Sequence, residues 1–141
     1  MRIDEVGPGL WWITHSLAKN AQNPDGLRKF KEHVEYLKTH FPCEVCRPHI
    51  NTFFEKHRID NYTGDMINGQ DVGPFRLTWI MHSQVNERLK KPFFSFEKAY
   101  DVYFTHGSCK MDLCAGTIDT SKTYEKPEKG RKKFTLMRLN A

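Results

Sequence analysis

Apolar residues recur at helical spacing along most of the chain, and Gly, Pro and Asn mark the breaks between the runs. Leu27, Phe30, Val34 and Leu37 fall at i, i+3, i+7 and i+10, one stripe of a helix. Asn23-Pro24-Asp25 supplies its start signal, and it ends near His40. Ahead of it, Leu10 to Ala21 reads as a first helix, with Gly7, Pro8 and Gly9 as breakers before it. A third is expected from Pro42-Cys43, with Val45, Ile50, Phe53 and Phe54 facing inward and Pro48 tolerated because it lies close to the start. Residues 59–74, "IDNYTGDMINGQDVGP", read as a loop. Pro74 then fits the first turn of a fourth helix running to about Lys90, with a stripe of Leu77, Ile80 or Met81, Val85 or Gln84, and Leu89. Pro92 breaks it, and Ser95 is placed to cap a fifth helix through Tyr103. No alternating strand pattern stands out. The expectation is an all-α domain of four or five helices without an internal repeat.

Length and composition narrow the class. A chain of 141 residues is one domain by length, large enough to build a core without covalent staples. Its 13% aromatic content suits a helical domain packed around something flat. No apolar run approaches the length of a membrane span. The start, "MRIDEVGPGLWW", lacks the basic and apolar regions of a signal peptide, so a soluble protein that is not classically secreted is expected. Asn61-Tyr62-Thr63 fits a glycosylation sequon and is read as chance on the same ground. Charge is unevenly placed. Residues 121–141 hold seven basic side chains against Glu125 and Glu128, which accounts for the whole net charge of +5. The basic character belongs to a tail, and residues 1–120 are neutral overall.

The candidate chemistry lies in four cysteines, Cys43, Cys46, Cys109 and Cys114, arranged as C-x2-C and C-x4-C. In a chain without a secretory signal such pairs suggest metal or redox chemistry before a disulfide framework. "FPCEVCRPHI" by itself can hold zinc, exchange disulfides, or do neither. Cysteines at a helix start feel its positive end, which favours thiolate, and Arg47 adds positive charge nearby. On the fourth helix Trp79, His82, Ser83 and Asn86 share a face, and on the first Trp11 and His15 are i, i+4 neighbours. Singly such residues are ordinary at a core edge. Together they offer the flat surfaces and polar groups that an aromatic cofactor requires. The rival is a four-cysteine zinc site, with His49 able to replace one sulfur. A thioredoxin-like fold lacks its βαβ pattern here. "KPEKGRKK" in the tail could meet phosphates, but the neutral domain offers no basic face, so nucleic-acid binding is not expected as the main function.

Gly7-x3-Trp11-x3-His15, then Phe41-Pro42-Cys43-x2-Cys46, then His82-x2-Val85-Asn86-x2-Leu89-x-Lys91-Pro92 resembles the Erv/ALR family of FAD-dependent sulfhydryl oxidases, in the family's order from Gly7 to Cys109. The resemblance implies a four-helix bundle with a short fifth helix that binds FAD. Its implied flavin-binding set is Gly7, Trp11, His15, Cys46, His49, Trp79, His82, Ser83, Val85, Asn86, Leu89, Lys91 and Tyr100, the last near the adenine. Cys46 would face the flavin, Cys43 would engage incoming dithiols, and Cys109 and Cys114 would form a shuttle in a glycine-flanked segment. The implied reaction passes electrons from protein dithiols through both pairs to FAD and then to dioxygen, giving hydrogen peroxide. A thioredoxin-like carrier is a possible donor. The implied assembly is a homodimer packed through the first two helices, with no membrane partner. Departures stand out: Ser83 replaces the family's Asn, Leu77 stands where a Trp is expected, and a structural disulfide of many cellular members is absent. That absence and Arg47-x-His49 look more like the compact viral members. The expected setting is therefore host cytoplasm or virion, with the mitochondrial intermembrane space as the alternative. The implied layout is a flavin-binding domain over 1–105, a shuttle segment over 106–120 and a flexible basic tail over 121–141.

Overall fold

The second helix forms where its cap and stripe place it. In the computed structural model, which describes residues 3–105, α2 spans Pro24–His40 and the Asn23 side chain accepts from the Gly26 amide at 2.8 Å. Asp25 in its first turn and Lys38 and His40 in its last complement the helix dipole. Phe30, Val34 and Leu37 are buried along its inner face. Gly26 is required by packing, since a Cβ there would collide with the carbonyl oxygen of Asn20 at the end of the preceding helix.

That preceding helix, α1, runs Ile3–Lys19 and carries Pro8 inside it, so its start is earlier than the Gly-Pro-Gly run predicts. Proline fixes φ at a helical value and interferes only with the turn before it. Near a helix start the loss is confined to one backbone bond. The third helix also departs from expectation. α3 is Arg47–Lys56, not a helix from Pro42, and Val45 is 78% exposed rather than inward-facing. Pro48 sits in the first turn of α3, where its missing N–H costs nothing.

The region read as a loop has structure of its own. Ile59–Tyr62 is a 3-10 turn, and β1 (Met66–Ile67) pairs antiparallel with β2 (Gln70–Asp71). Asn68 and Gly69 both take positive φ at the tip, as a tight hairpin turn demands. The Gln22 side chain grips this hairpin, accepting from the Asp71 amide and donating to the Asp71 carbonyl, both at 2.8 Å. Asp71 in turn accepts from the amides of Gly64 and Gly73. α4 (Gly73–Arg88) starts where the hairpin ends, with Pro74 in its first turn. α5 (Phe96–Tyr100) is capped by Ser95 as predicted, and continues as a π-helical turn over Asp101–Thr105.

The fold is all-α, with α1 packed on α4 and α2, α2 on α3, and the short α5 closing one side. Phe30, Phe75, Leu77 and Tyr103 are almost fully buried at the centre, each large side chain contributing about 1.5–3 kcal/mol. Among the described residues no helix is long and apolar enough to cross a membrane.

Candidate functional site

Cys43 and Cys46 are joined as a disulfide across a single turn, with their Cα atoms 5.2 Å apart. The turn is held by the Cys46 and Arg47 amides, which both donate to the Cys43 carbonyl, at 3.1 and 3.2 Å. The Arg47 Nε donates to the Phe41 carbonyl at 2.7 Å, so one residue ties both limbs of the redox segment. Cys46 is the N-cap of α3 and sits at its positive end, while Cys43 lies one turn earlier. The disulfide occupies two of the four sulfurs that the zinc alternative needs. Cys109 and Cys114, with the rest of 106–141, lie outside the described residues.

Cys46 forms part of the wall of a cavity of about 500 Å³, within the range of cofactor sites. Gly7, Pro8, Trp11 and Thr14 of α1 line one side, and Phe41, His49, Ile50 and Phe53 another. Met81, Gln84, Val85, Arg88, Leu89 and Lys91 complete it from α4 and the turn after it. The wall is largely apolar, Arg88 and Lys91 stand exposed in it, and among the described residues no carboxylate contributes. A Cβ added at Gly7 would meet nothing within 4 Å, so this wall is open at that point. A shallow groove along α2, bounded by Leu27, Lys31 and Glu35, shares no residue with it.

Lys91 is set in place by the end of α4. The Lys90 amide donates to Glu87 and the Lys91 amide to Asn86, the paired bonds of a Schellman ending, with Lys90 itself at φ 55°. Behind Trp11 runs a buried polar chain. The Trp11 ring lies flat on His82 with centroids 3.8 Å apart. His82 Nδ1 is 2.9 Å from His15 Nε2, and His15 Nδ1 is 2.8 Å from Thr78 Oγ1. Burial first, then the neighbouring His15 and Lys91, hold His82 well below the ordinary imidazole range, so it is neutral. Tyr103 packs edge-on to His15, and burial pushes its phenol up, so it too stays uncharged. Thr14 donates to the Leu10 carbonyl and bonds His33 at 2.9 Å.

Of the residues expected to meet a flavin, Gly7, Trp11, Cys46, His49, Val85, Leu89 and Lys91 line the cavity. His15, His82 and Asn86 are buried, the two histidines behind Trp11. Ser83 is half-buried and is not in the lining. Trp79 and Tyr100 go elsewhere. The Trp79 indole donates to the Phe94 carbonyl at 2.8 Å and its ring meets Phe93 and Phe96. Tyr100 stacks on Phe104 and accepts from Asn68. Sequence reasoning missed Thr14, Phe41 and Arg88 in the wall and Thr78 behind it. A signal existed for Thr78, which lies one turn before His82 on the same face.

A model of the Erv1 / Alr family matches residues 8–105. A protein of Frog virus 3 (isolate Goorha), "Putative FAD-linked sulfhydryl oxidase 088R", is 32% identical over 103 residues, 69% of this chain and 65% of its own length. "FAD-linked sulfhydryl oxidase" of African swine fever virus (isolate Tick/Malawi/Lil 20-1/1983) is 24% identical over 100 residues, 69% of this chain and 78% of that one. "Sulfhydryl oxidase 1" of Arabidopsis thaliana is 29% identical over 90 residues, 59% of this chain. The chain thus spans just under two thirds of the frog virus protein and 14% of the plant one. No solved structure matches the chain. The family match runs from the first turns of α1 to the end of the described fold, taking in the disulfide and every wall of the cavity except Gly7, and the chain belongs to the Erv1 / Alr family.

Proposed function

We propose that this protein is an FAD-linked thiol oxidase that makes disulfide bonds in other molecules. The observation that carries the reading is the Cys43–Cys46 disulfide with Cys46 in the cavity wall. The names of the viral relatives support the cofactor. The cavity fits it on its own terms: apolar walls with Trp11 suit a flat ring, and Arg88 and Lys91 suit an anionic diphosphate. His82 brings a buried nitrogen, Nε2, that has no hydrogen-bond partner among the described residues.

Cys43 is outside the cavity lining and Cys46 is in it, which divides their work. A substrate thiolate attacks Cys43 Sγ, forms a mixed disulfide, and releases Cys46 as a thiolate at the positive end of α3. The second substrate thiolate then attacks the substrate sulfur bonded to Cys43, forming the product disulfide and releasing Cys43 as a thiolate. Two electrons now reside on the Cys43/Cys46 dithiol. FAD, when bound, supplies the two-electron acceptor chemistry that restores the disulfide and hands the electrons to dioxygen, with hydrogen peroxide as the product. Trp11 and Lys91 would hold the cofactor from the cavity wall, with His82 stacked behind Trp11, and the apolar wall would limit water around Cys46.

The finer reading keeps Cys109 and Cys114 as a shuttle between protein dithiols, or a thioredoxin-like carrier, and the Cys43–Cys46 pair. It keeps a homodimer through α1 and α2, and a setting in host cytoplasm or virion suggested by the two viral relatives. The test is direct. Purified protein should be yellow with flavin absorbance and should consume oxygen with dithiothreitol, and Cys46→Ser should lose turnover completely while keeping the colour. A Cys46→Ser protein that oxidises dithiothreitol at the wild-type rate would sink the reading.

A further inference from the structure

The buried chain from Phe75 to His82 can carry its protons in only one sense. Thr78 Oγ1 stands 2.7 Å from the Phe75 carbonyl oxygen. A carbonyl only accepts, so the single hydroxyl proton of Thr78 is committed to it. Were that proton turned toward His15, two oxygen acceptors would face each other at 2.7 Å. Thr78 therefore accepts from His15, and His15 Nδ1, 2.8 Å away, bears the proton. His15 is buried, 3% exposed, beside a second buried imidazole, and its neutral form leaves Nε2 as a lone pair. His82 Nδ1, 2.9 Å from that lone pair, must then be the donor. His82 is 2% exposed and its Nε2, now a lone pair as well, has no partner among the described residues. The parallel Trp11 ring holds the imidazole in this plane.

We propose that Thr78 is a positioning residue that fixes the tautomers of His15 and His82, so that the buried His82 Nε2, behind the Trp11 ring that lines the cavity, carries a lone pair rather than a proton and is left to accept from an N–H or O–H donor that reaches it. The inference rests on the FAD reading for the identity of the ligand, but not for the tautomers. It also runs against the ordinary preference of a free imidazole, whose proton sits mostly on Nε2. Thr78 therefore acts at two removes: it touches neither cavity nor cofactor, yet decides whether His82 accepts or donates.

The experiment uses the full chain labelled with 15N in its histidines, with imidazole signals assigned against His15→Gln and His82→Gln. The expected wild-type spectrum has His82 Nδ1 protonated and Nε2 unprotonated, with and without flavin. Thr78→Val keeps the shape but removes the acceptor. It should move both protons to Nε2 and weaken FAD binding about tenfold, the loss of roughly one buried hydrogen bond. Thr78→Ser should restore both the tautomers and the affinity, which a purely steric role for the methyl group would not allow. A wild-type His82 protonated at Nε2, or Thr78→Val with unchanged tautomers, would overturn the proposal. Should Thr78→Val not fold, the wild-type and Thr78→Ser spectra decide it alone. A protein that never takes up flavin would overturn the donor assignment and the FAD reading together, while the same spectra would still report the tautomers.

Discussion

His82 shows how one buried side chain couples the site to the medium. Desolvation, with His15 and Lys91 close by, holds it neutral in the folded protein, and burial lowers His33 in the same direction. In the unfolded chain both titrate near the usual value of about 6.5. Below that pH the unfolded state binds protons that the folded state refuses, so stability is fully present above it and falls as the medium becomes more acidic. The limiting slope is about 1.4 kcal/mol per pH unit for the deeply buried His82, and the partly exposed His33 adds less in the same direction. Urea unfolding at intervals from pH 7.5 to 5 should show this loss, and a flat profile would mean that these imidazoles protonate in place. At this scale the sequence was legible in identity but not in reach. Trp11, Cys46 and Lys91 stand in the cavity wall, whereas Trp79 shares a helical face with His82 yet turns its ring to Phe94 and Phe96. Periodicity assigns a residue to a face. It does not say where a long side chain ends.

Among the elements, those with a chemical start signal were read well. Asn23 caps α2 and Ser95 caps α5 because a side-chain oxygen at that position satisfies an amide that the helix cannot. The start of α1 was placed late because Gly7-Pro8-Gly9 was read as a barrier, when a proline near a helix start costs only one backbone bond. That of α3 was placed early, at Pro42-Cys43, when Pro48 is the proline of its first turn. The hairpin was missed although Asn68-Gly69 announces a tight turn, since strands of two residues are too short to alternate. The end of α4 carries a prediction of its own. Lys90 occupies the left-handed position of a Schellman ending, where a side chain costs about 1 kcal/mol and glycine costs little. Lys90→Gly should raise stability by up to about 0.5 kcal/mol, once the extra entropy of the unfolded chain is offset, without altering the fold. Denaturant midpoints with an unchanged slope would register it. A destabilised variant would mean that the Lys90 side chain does more at this corner than the backbone shows.

For the whole molecule, the separation of a small-thiol site from a protein-thiol route is the property to test. Replacing both Cys109 and Cys114 with Ser should spare most of the dithiothreitol oxidase activity and slow the oxidation of a folded protein dithiol far more, on the order of tenfold or greater. Equal losses on both substrates would remove the relay from the proposal. The described fold also has a bearing on what the molecule does not pair with. β2 would ordinarily offer the amide and carbonyl of Asp71 outward, a free edge on which a strand from another chain could be laid. The Gln22 carboxamide meets both groups at 2.8 Å, as a neighbouring peptide bond would. A single side chain thus stands in for a third strand one residue long, and the outer edge of β2 is closed to aggregation by strand addition.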